Sequence, residues 1–594
     1  MPGTGGAAVA KPSFFAYTFT VRPGRPGVPA AVTAGRTDDA GEERRKMKMI
    51  VVAKDGSGDF TSLQAAVDSV PAAAGRSPSL ILIRAGEYRE KVVIHRDHVR
   101  LVGEDRDRTV LTWNGCAMDR YDDGTVKGTF LSATLIVTGR DVEVENLTVR
   151  NDAGDGREAG QAVAVYAAGD RGVWRRCSFI AHQDTLFCGP VRLPNTLEDI
   201  MPRRGRAEEA VRVEGGALTF SRQYFEDCLI QGDVDFIFGS YRCWFERCTL
   251  YMNARGGFYT AANTNEAQPF GFVFHRCRLT GECGEGEGFL GRPWRKHART
   301  LFLECDMDEH VAPAGFCDWD ADRVVTDRCG EWRTTGVRAD QSVRHPAQRR
   351  LTDEEAALVT LPEVLGGADG WRPDRRVPTW FLCGDSILAS YPPERSPMAG
   401  WGQFLQALIP ENVHIQNEAV CGRSSRSFEE ERRLENIALC LREGDLLLIA
   451  FGHNDEKRED PSRYTSPDGT FPEYLNHYID AALARGARPV LSTPAARRRF
   501  DADGRPVPTH GPYPDAVRKL AAERGVPLVD LEKATDALLR EEGPEGSKRI
   551  FCHVPAGHPN YPEGLEDNSH LRKTGAVRIA ELFLSLFSRA QTAR

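Results

Sequence analysis

The sequence predicts two domains in series: a right-handed parallel β-helix, then a three-layer α/β/α domain built on a parallel sheet. Three observations predict it. An aromatic-x-x-Cys pattern recurs through the first half of the chain, strand-like and helix-like stretches alternate in the last third, and 594 residues exceed what one core usually fills.

The repeat comes first in the chain. Trp174-Arg-Arg-Cys177 is followed by Phe225-Glu-Asp-Cys228, Phe245-Glu-Arg-Cys248, Phe274-His-Arg-Cys277 and Phe302-Leu-Glu-Cys305, with Val144-Glu-Asn-Leu147 as an earlier variant. The cysteines step by 51, 20, 29 and 28 residues. A period of 20–30 residues carrying short alternating strands is the mark of a solenoid, in which each coil buries its inward face only on the next. Leucine-rich repeats compete for that period, but their spaced Leu and Asn consensus is missing. The 51-residue step implies an insertion at Gly189–Thr219, with Arg203, Arg204 and Arg206 inside it.

The second regime begins near 378. Thr379–Leu382, Asp445–Phe451, Pro489–Ser492 and Pro527–Leu531 read as short apolar strands, with helix-like stretches at Pro472–Ala484 and Pro514–Arg524. Alternation of this kind builds a parallel sheet covered by helices. Domains are therefore expected at 47–374 and 378–594, joined near Trp371–Pro378. Residues 1–46, rich in Gly, Pro and Ala and without periodicity, are expected to be a disordered extension.

Composition narrows the function classes. The 77 Lys+Arg nearly balance 85 Asp+Glu for a net charge of −8, which argues against nucleic-acid or anionic-membrane binding. No run of eighteen apolar residues is present. Gly (57) and Pro (35) favour a turn-rich, largely β architecture. The 15 Cys include no CxxC pair, and several follow the repeat, so they read as small packing groups in a reducing compartment. With no export signal visible, a cytoplasmic location is the expectation.

Five strings in the solenoid then carry chemistry: GEYREKV (Gly86–Val92), GQAVAV (Gly160–Val165), QDTL (Gln183–Leu186), DFIFG (Asp235–Gly239) and LGRPW (Leu290–Trp294). Taken in order, they resemble the pectin methylesterases, which fold as right-handed parallel β-helices. The resemblance runs from about 50 to 374. It implies Asp235 as nucleophile on a methyl-ester carbonyl and Asp184 as the acid, then base. It further implies Arg292 holding Asp235 ionised, Gln183 donating to the oxyanion and Gln161 supporting that site. Trp294, Tyr259 and Phe258 are expected to face sugar rings. His182 and His275 are expected to be structural. Alone, an Asp at a solenoid edge usually just ends a turn. Two departures stand out: Phe316 occupies a position where the family usually has Trp, and the insertion follows QDTL directly.

In the second domain GDSILASY (Gly384–Tyr391), Gly422 within CGRSSRSF, GHND (Gly452–Asp455) and DNSH (Asp567–His570) occur in order. They resemble the SGNH hydrolases, and in detail the rhamnogalacturonan acetylesterases. The resemblance implies Ser386 as nucleophile, His570 as base and Asp567 as its orienter, with the Ser386 and Gly422 amides and the Asn454 side chain forming an oxyanion hole. His453 is expected to be a scaffold residue; His510, His553 and His558 show no metal spacing.

Together these readings imply a bifunctional carbohydrate esterase that removes methyl and acetyl esters from pectin or oligogalacturonides. Neither mechanism requires a metal or an organic cofactor. The competing expectations are a carbohydrate-binding β-helix with one active esterase acting on lipid or xylan esters, and a pectate lyase or polygalacturonase, whose motifs are not apparent.

Overall fold

The computed structural model describes residues 49–71, 77–190, 211–214 and 217–592. The expected 1–46 extension and most of the Gly189–Thr219 insertion, Arg203, Arg204 and Arg206 among them, lie outside the described residues. Of the insertion, Val211–Glu214 and Ala217–Phe220 pair antiparallel. The described chain divides into two compact units, Lys48–Val377 and Pro378–Arg594.

The first unit is a parallel β-helix. Three sheets of eleven, seven and eight strands run side by side along it, and successive coils pair in parallel register. The repeat lines the interior of the longest sheet. Register places Val144 beside Trp174, then Trp174, Phe225, Phe245, Phe274 and Phe302 one above another. Their ring centroids lie 6.0, 4.6, 4.4 and 4.6 Å apart with nearly parallel planes. Because stacked coils repeat at about 4.8 Å, one aromatic per coil at a fixed position becomes a continuous stack.

The cysteines form the neighbouring column, buried and unpaired. Cys177, Cys228, Cys277 and Cys305 each point a weak S–H donor at a carbonyl of the adjacent coil, at 3.4–3.5 Å. Before each repeat cysteine the chain turns a corner in left-handed backbone, with φ of 49–54° at Arg176, Asp227, Arg247, Arg276 and Glu304. These are charged residues rather than glycines, and neighbours along the corner pair: Arg247 with Asp227 at 3.0 Å, Arg276 with Glu304 at 2.8 Å.

The second unit has a five-stranded parallel sheet in the order His414–Asn417, Thr379–Gly384, Leu446–Ala450, Arg488–Ser492, Leu528–Val529. Alternate side chains face opposite layers. Trp380, Leu382, Leu446, Leu448 and Val490 cluster with Phe583 and Phe587 of the helix Lys573–Thr592. Phe451, just past the central strand, packs on Phe428 and on Tyr478 of the helix Thr470–Ala484. This is the expected three-layer arrangement. Helices start one or two residues earlier than expected, and the edge strand His414–Asn417 was not anticipated. Nor was the small antiparallel sheet joining Met398–Ala399, Leu565–Arg572 and Phe551–Val554.

Candidate active sites

In the β-helix, the seven-stranded sheet places the two aspartates. Leu186 pairs with Ile237, so Asp184 and Asp235, each two residues earlier, hold equivalent places on successive coils, and the Asp184 amide donates to the Val234 carbonyl at 3.1 Å. Both adopt left-handed backbone, φ 69° and 53°. Aspartate tolerates that conformation better than most residues. It ends each turn just before a strand begins.

Arg292 enters from a coil further along, where it pairs in register with Ala261. Its Nε and Nη2 donate to the two carboxylate oxygens of Asp235 at 2.9 and 2.8 Å, a bidentate fork. The guanidinium is sandwiched between Phe258 (4.0 Å to the ring centroid) and Trp319 (3.8 Å). Burial pushes the Asp235 carboxyl up, and Arg292 pulls it back down. Asp184 is pushed much further: burial raises it well above the usual carboxylate range, the nearby Asp235 charge raises it again, and Arg292 offsets only part. The pair is thus electrostatically unequal. Arg292 makes Asp235 the carboxyl that ionises first, and its neighbour keeps its proton to higher pH, which is the division of labour a nucleophile and an acid need.

Gln161 and Gln183 lie on adjacent coils, linked by an Ala162 amide to Gln183 carbonyl bond of 3.0 Å. Both are partly exposed, and neither carboxamide has a protein partner among the described residues. Gly156 makes room for one of them, since a Cβ there would sit 2.8 Å from the Gln183 Cβ. Trp294 is partly exposed, with its ring edge-on to Phe238 at 5.9 Å.

Tyr259 corrects the expectation. It is fully buried, packs on Phe236 inside the coil at 5.1 Å and bonds His310 through its hydroxyl, so it cannot face a sugar. Its neighbour Phe258 takes the outward direction that strand alternation denies Tyr259. Phe316 is likewise core, 1% exposed and against Phe302. His182 bonds the buried Asp233 at 3.0 Å, and His275 bonds Glu246 at 2.8 Å, both as structural partners. Trp319 was missed. Its only sequence signal is an isolated Trp in a turn-rich string, and the register that brings it over Arg292 is not legible locally.

In the second unit Ser386 follows the strand Thr379–Gly384 directly. A Cβ at Gly384 would meet the Ala450 carbonyl oxygen at 2.7 Å and Leu388 at 2.8 Å, so the tight exit from the sheet demands glycine. Ser386 Oγ lies 2.9 Å from His570 Nε2, and His570 Nδ1 lies 2.7 Å from Asp567. Asp567 also accepts from the Ser569 and His570 amides at 2.7 and 2.8 Å. Half-burial works against its ionisation, but these bonds prevail and hold it well below the usual carboxylate range. Three residues of one strand thereby fix the acid, its own backbone donors and the base.

Ser386, Gly422 and Asn454, the expected oxyanion donors, line one cavity. Asn454 donates one amide hydrogen to the Arg423 carbonyl at 3.1 Å, leaving the other available. Gly422 has φ 80° and nothing nearer its missing Cβ than Arg463 at 3.8 Å, so that side opens into the cavity. The Ser386 and Gly422 amides have no protein acceptor among the described residues. His453 contacts the buried Asp385 at 3.3 Å and stacks edge-on against His510 at 4.5 Å, which makes it scaffold. His510 bonds Glu456, and His553 bonds Asn568. A cavity of about 510 Å³ opens over Ser386 and His570, lined also by Tyr391, Arg395, Lys457 and Arg497, which sequence reasoning did not single out.

A forked aspartate beside a second, more deeply buried one, and a serine aligned with a His–Asp pair, are two arrangements able to attack an ester carbonyl. The fold and its two sites define a carboxylic ester hydrolase. Known proteins divide the chain at the same place. The family model described as Pectinesterase matches residues 49–193 and 218–368, the gap falling within the insertion; the GDSL-like Lipase/Acylhydrolase family matches 382–561, stopping short of Asp567 and His570. Pectinesterase 31 of Arabidopsis thaliana is 32% identical over 316 residues, 52% of this chain and 89% of that protein. Rhamnogalacturonan acetylesterase RhgT of Bacillus subtilis is 48% identical over 203 residues, 34% of this chain and 86% of that protein. Of another relative, the probable pectinesterase/pectinesterase inhibitor 23 of Arabidopsis thaliana, the chain spans about half the length (54%) at 30% identity. Among solved structures, a pectin methylesterase from carrot is 26% identical with a TM-score of 0.45, over 57% of this chain and 96% of that one. The chain belongs to the pectinesterase family through its β-helix and to the GDSL-like acylhydrolases through its C-terminal unit.

Proposed function

We propose that the protein is a bifunctional pectin-deesterifying enzyme, hydrolysing galacturonate methyl esters in the β-helix and O-acetyl esters of pectic sugars in the second unit. The observation that carries the reading is that one chain holds two complete but chemically different ester-cleaving sets: the Arg292-forked Asp235 beside Asp184, and Ser386–His570–Asp567 at 2.9 and 2.7 Å.

In the first site Asp235 attacks the methyl-ester carbonyl, and the carboxamides of Gln183 and Gln161 stabilise the oxyanion. Collapse gives an acyl-enzyme anhydride as Asp184 passes its proton to the departing methoxide, releasing methanol. Asp184, now ionised, takes a proton from water; hydroxide opens the anhydride, freeing ionised Asp235 and the galacturonic acid, which gives its proton to solvent and leaves as the carboxylate. Phe258 and Trp294 offer partly exposed rings for sugar faces. In the second site His570 Nε2 accepts the Ser386 proton as Oγ attacks the acetyl carbonyl. The oxyanion is held by Asn454 and the Ser386 and Gly422 amides. The imidazolium then protonates the leaving sugar hydroxyl, and water releases acetate by the same route reversed.

Methanol and acetate released from methylated, acetylated pectin oligosaccharides test the reading. Asp235→Asn should abolish methanol and spare acetate; Ser386→Ala should do the reverse. Acetate with no methanol from the wild type would reduce the β-helix to a binding platform. The free cysteines of the repeat, Cys177, Cys228, Cys248, Cys277 and Cys305, support work in a reducing compartment on oligosaccharide fragments, which cell fractionation tests.

A further inference from the structure

The cavity over Ser386 has a charge pattern that ester hydrolysis itself does not call for. Its lining includes three cationic side chains, Arg395, Lys457 and Arg497, and no carboxylate. Arg497 is neutralised by Glu456, and both line an adjoining cavity together with Lys457 and Glu459. The other two are not neutralised: neither Arg395 nor Lys457 is paired with a carboxylate among the described residues. Arg395 is exposed; its Nη2 meets the Met398 sulfur at 3.8 Å and its charge lies beside the Tyr561 hydroxyl, while Glu394 next to it does not line the cavity. Lys457 is partly buried, three residues beyond the oxyanion donor Asn454. An acetyl group is neutral, and the departing sugar hydroxyl takes its proton from His570, so neither cation is needed for the bond cleaved. Holding two unpaired cations in one cleft costs mutual repulsion unless an anion joins them.

Resting on the reading of this site as a pectic acetylesterase, we infer that Arg395 and Lys457 bind the carboxylate of a uronate carrying or adjoining the acetylated hydroxyl. The substrate of the second site is then a sugar acid whose carboxyl is free. A methyl ester on that carboxyl removes the charge the cations recognise. Hydrolysis in the first site (ester plus water giving carboxylate, methanol and a proton) is the class of reaction that supplies this substrate, so methyl removal precedes acetyl removal on a doubly substituted residue.

The test uses the intact chain and three probes: acetylated oligogalacturonide with free carboxyls, the same oligosaccharide with its carboxyls reduced to neutral alcohols, and 4-nitrophenyl acetate. Carboxyl reduction also removes the first site's substrate, so only the second site is read. A charge-assisted contact of ordinary strength predicts kcat/KM for acetate release about tenfold or more higher on the acid than on the reduced oligosaccharide, mostly through KM. The advantage should shrink with added salt. Arg395→Gln and Lys457→Gln should each erase much of it, the ratio of acid to reduced oligosaccharide falling toward one, with 4-nitrophenyl acetate cleavage by each variant reporting a folded site. On methylated, acetylated oligosaccharide, acetate should lag methanol. Equal rates on acid and reduced oligosaccharides, or no effect of either substitution, would overturn the carboxylate site alone. Cleavage of 4-nitrophenyl acetate with no acetate from either oligosaccharide would overturn the pectic reading and this inference with it.

Discussion

The chemistry of the β-helix depends on two carboxyls of the same residue type behaving differently, and the difference lies in what each touches. Asp235 is forked by Arg292, whereas the Asp184 carboxyl has no protein hydrogen-bond partner among the described residues and sits beside the Asp235 charge. Both carboxyls are pushed up from the ordinary carboxylate value, first by burial, and Asp184 the further. The proposed mechanism needs Asp235 ionised and Asp184 protonated. Methanol release should therefore follow a bell in pH, with kcat/KM falling below an acidic limb set above the ordinary Asp range and falling again as Asp184 loses its proton. The two limbs belong to the pair rather than to either residue alone. A profile that stays flat on its basic side would contradict the acid role. Arg292 should not tolerate lysine. Arg292→Lys keeps the charge but loses the fork and the flat face held between Phe258 and Trp319. The loss of one charge-assisted bond predicts a fall of roughly 10- to 100-fold in kcat, read by methanol release.

At the scale of elements, the aromatic and cysteine columns do for the solenoid what a core does for a globule. Each coil contributes one ring and one thiol, and neither is buried until the next coil stacks. Phe245 sits mid-stack, 4.6 Å from Phe225 and 4.4 Å from Phe274. Phe245→Ala should cost about 3–5 kcal/mol, seen as a shifted midpoint in denaturant unfolding, with the β-sheet signal retained below it. In the second unit the strand Leu565–Arg572 carries Asp567, His570 and the amides that orient them. Its antiparallel partners, rather than the main sheet, hold that strand, so the base arrives from a separate small sheet to meet a serine at the end of the parallel one.

At the scale of the whole molecule, a buried acid to which the proposed mechanism assigns no proton transfer makes stability depend on pH. Asp455 is fully buried, and burial pushes it up to about 7, although Ser425 and Thr465 donate to it. The folded state holds this proton more tightly than the unfolded chain does. Its contribution is therefore fully present below the unfolded value near 4 and is lost as pH rises toward 7. The shift corresponds to about 4 kcal/mol. Thermal melts should show Tm falling from pH 5 to pH 8 in the wild type and a flatter dependence in Asp455→Asn; parallel curves would sink the assignment.

The β-helix, the α/β/α unit and the pairing of Asp184 with Asp235 on neighbouring coils were legible in the sequence because each is written in local spacing: a 20–30-residue period, strands alternating with helices, short strings in fixed order. Ser386, His570 and Asp567 were legible for the same reason. Three features were not. Tyr259 and Phe258 are adjacent, and only the register of stacked coils decides which ring is core and which faces out. Trp319 reaches Arg292 through a contact that no local pattern encodes. Arg395 and Lys457 lie 62 residues apart on separate segments, and only the folded cavity shows that they share a cleft with no carboxylate lining it. Sequence alone determined which coils and strands form, since hydrophobic periodicity acts over a few residues. Tertiary structure decided which side chains meet, since that depends on how distant segments stack.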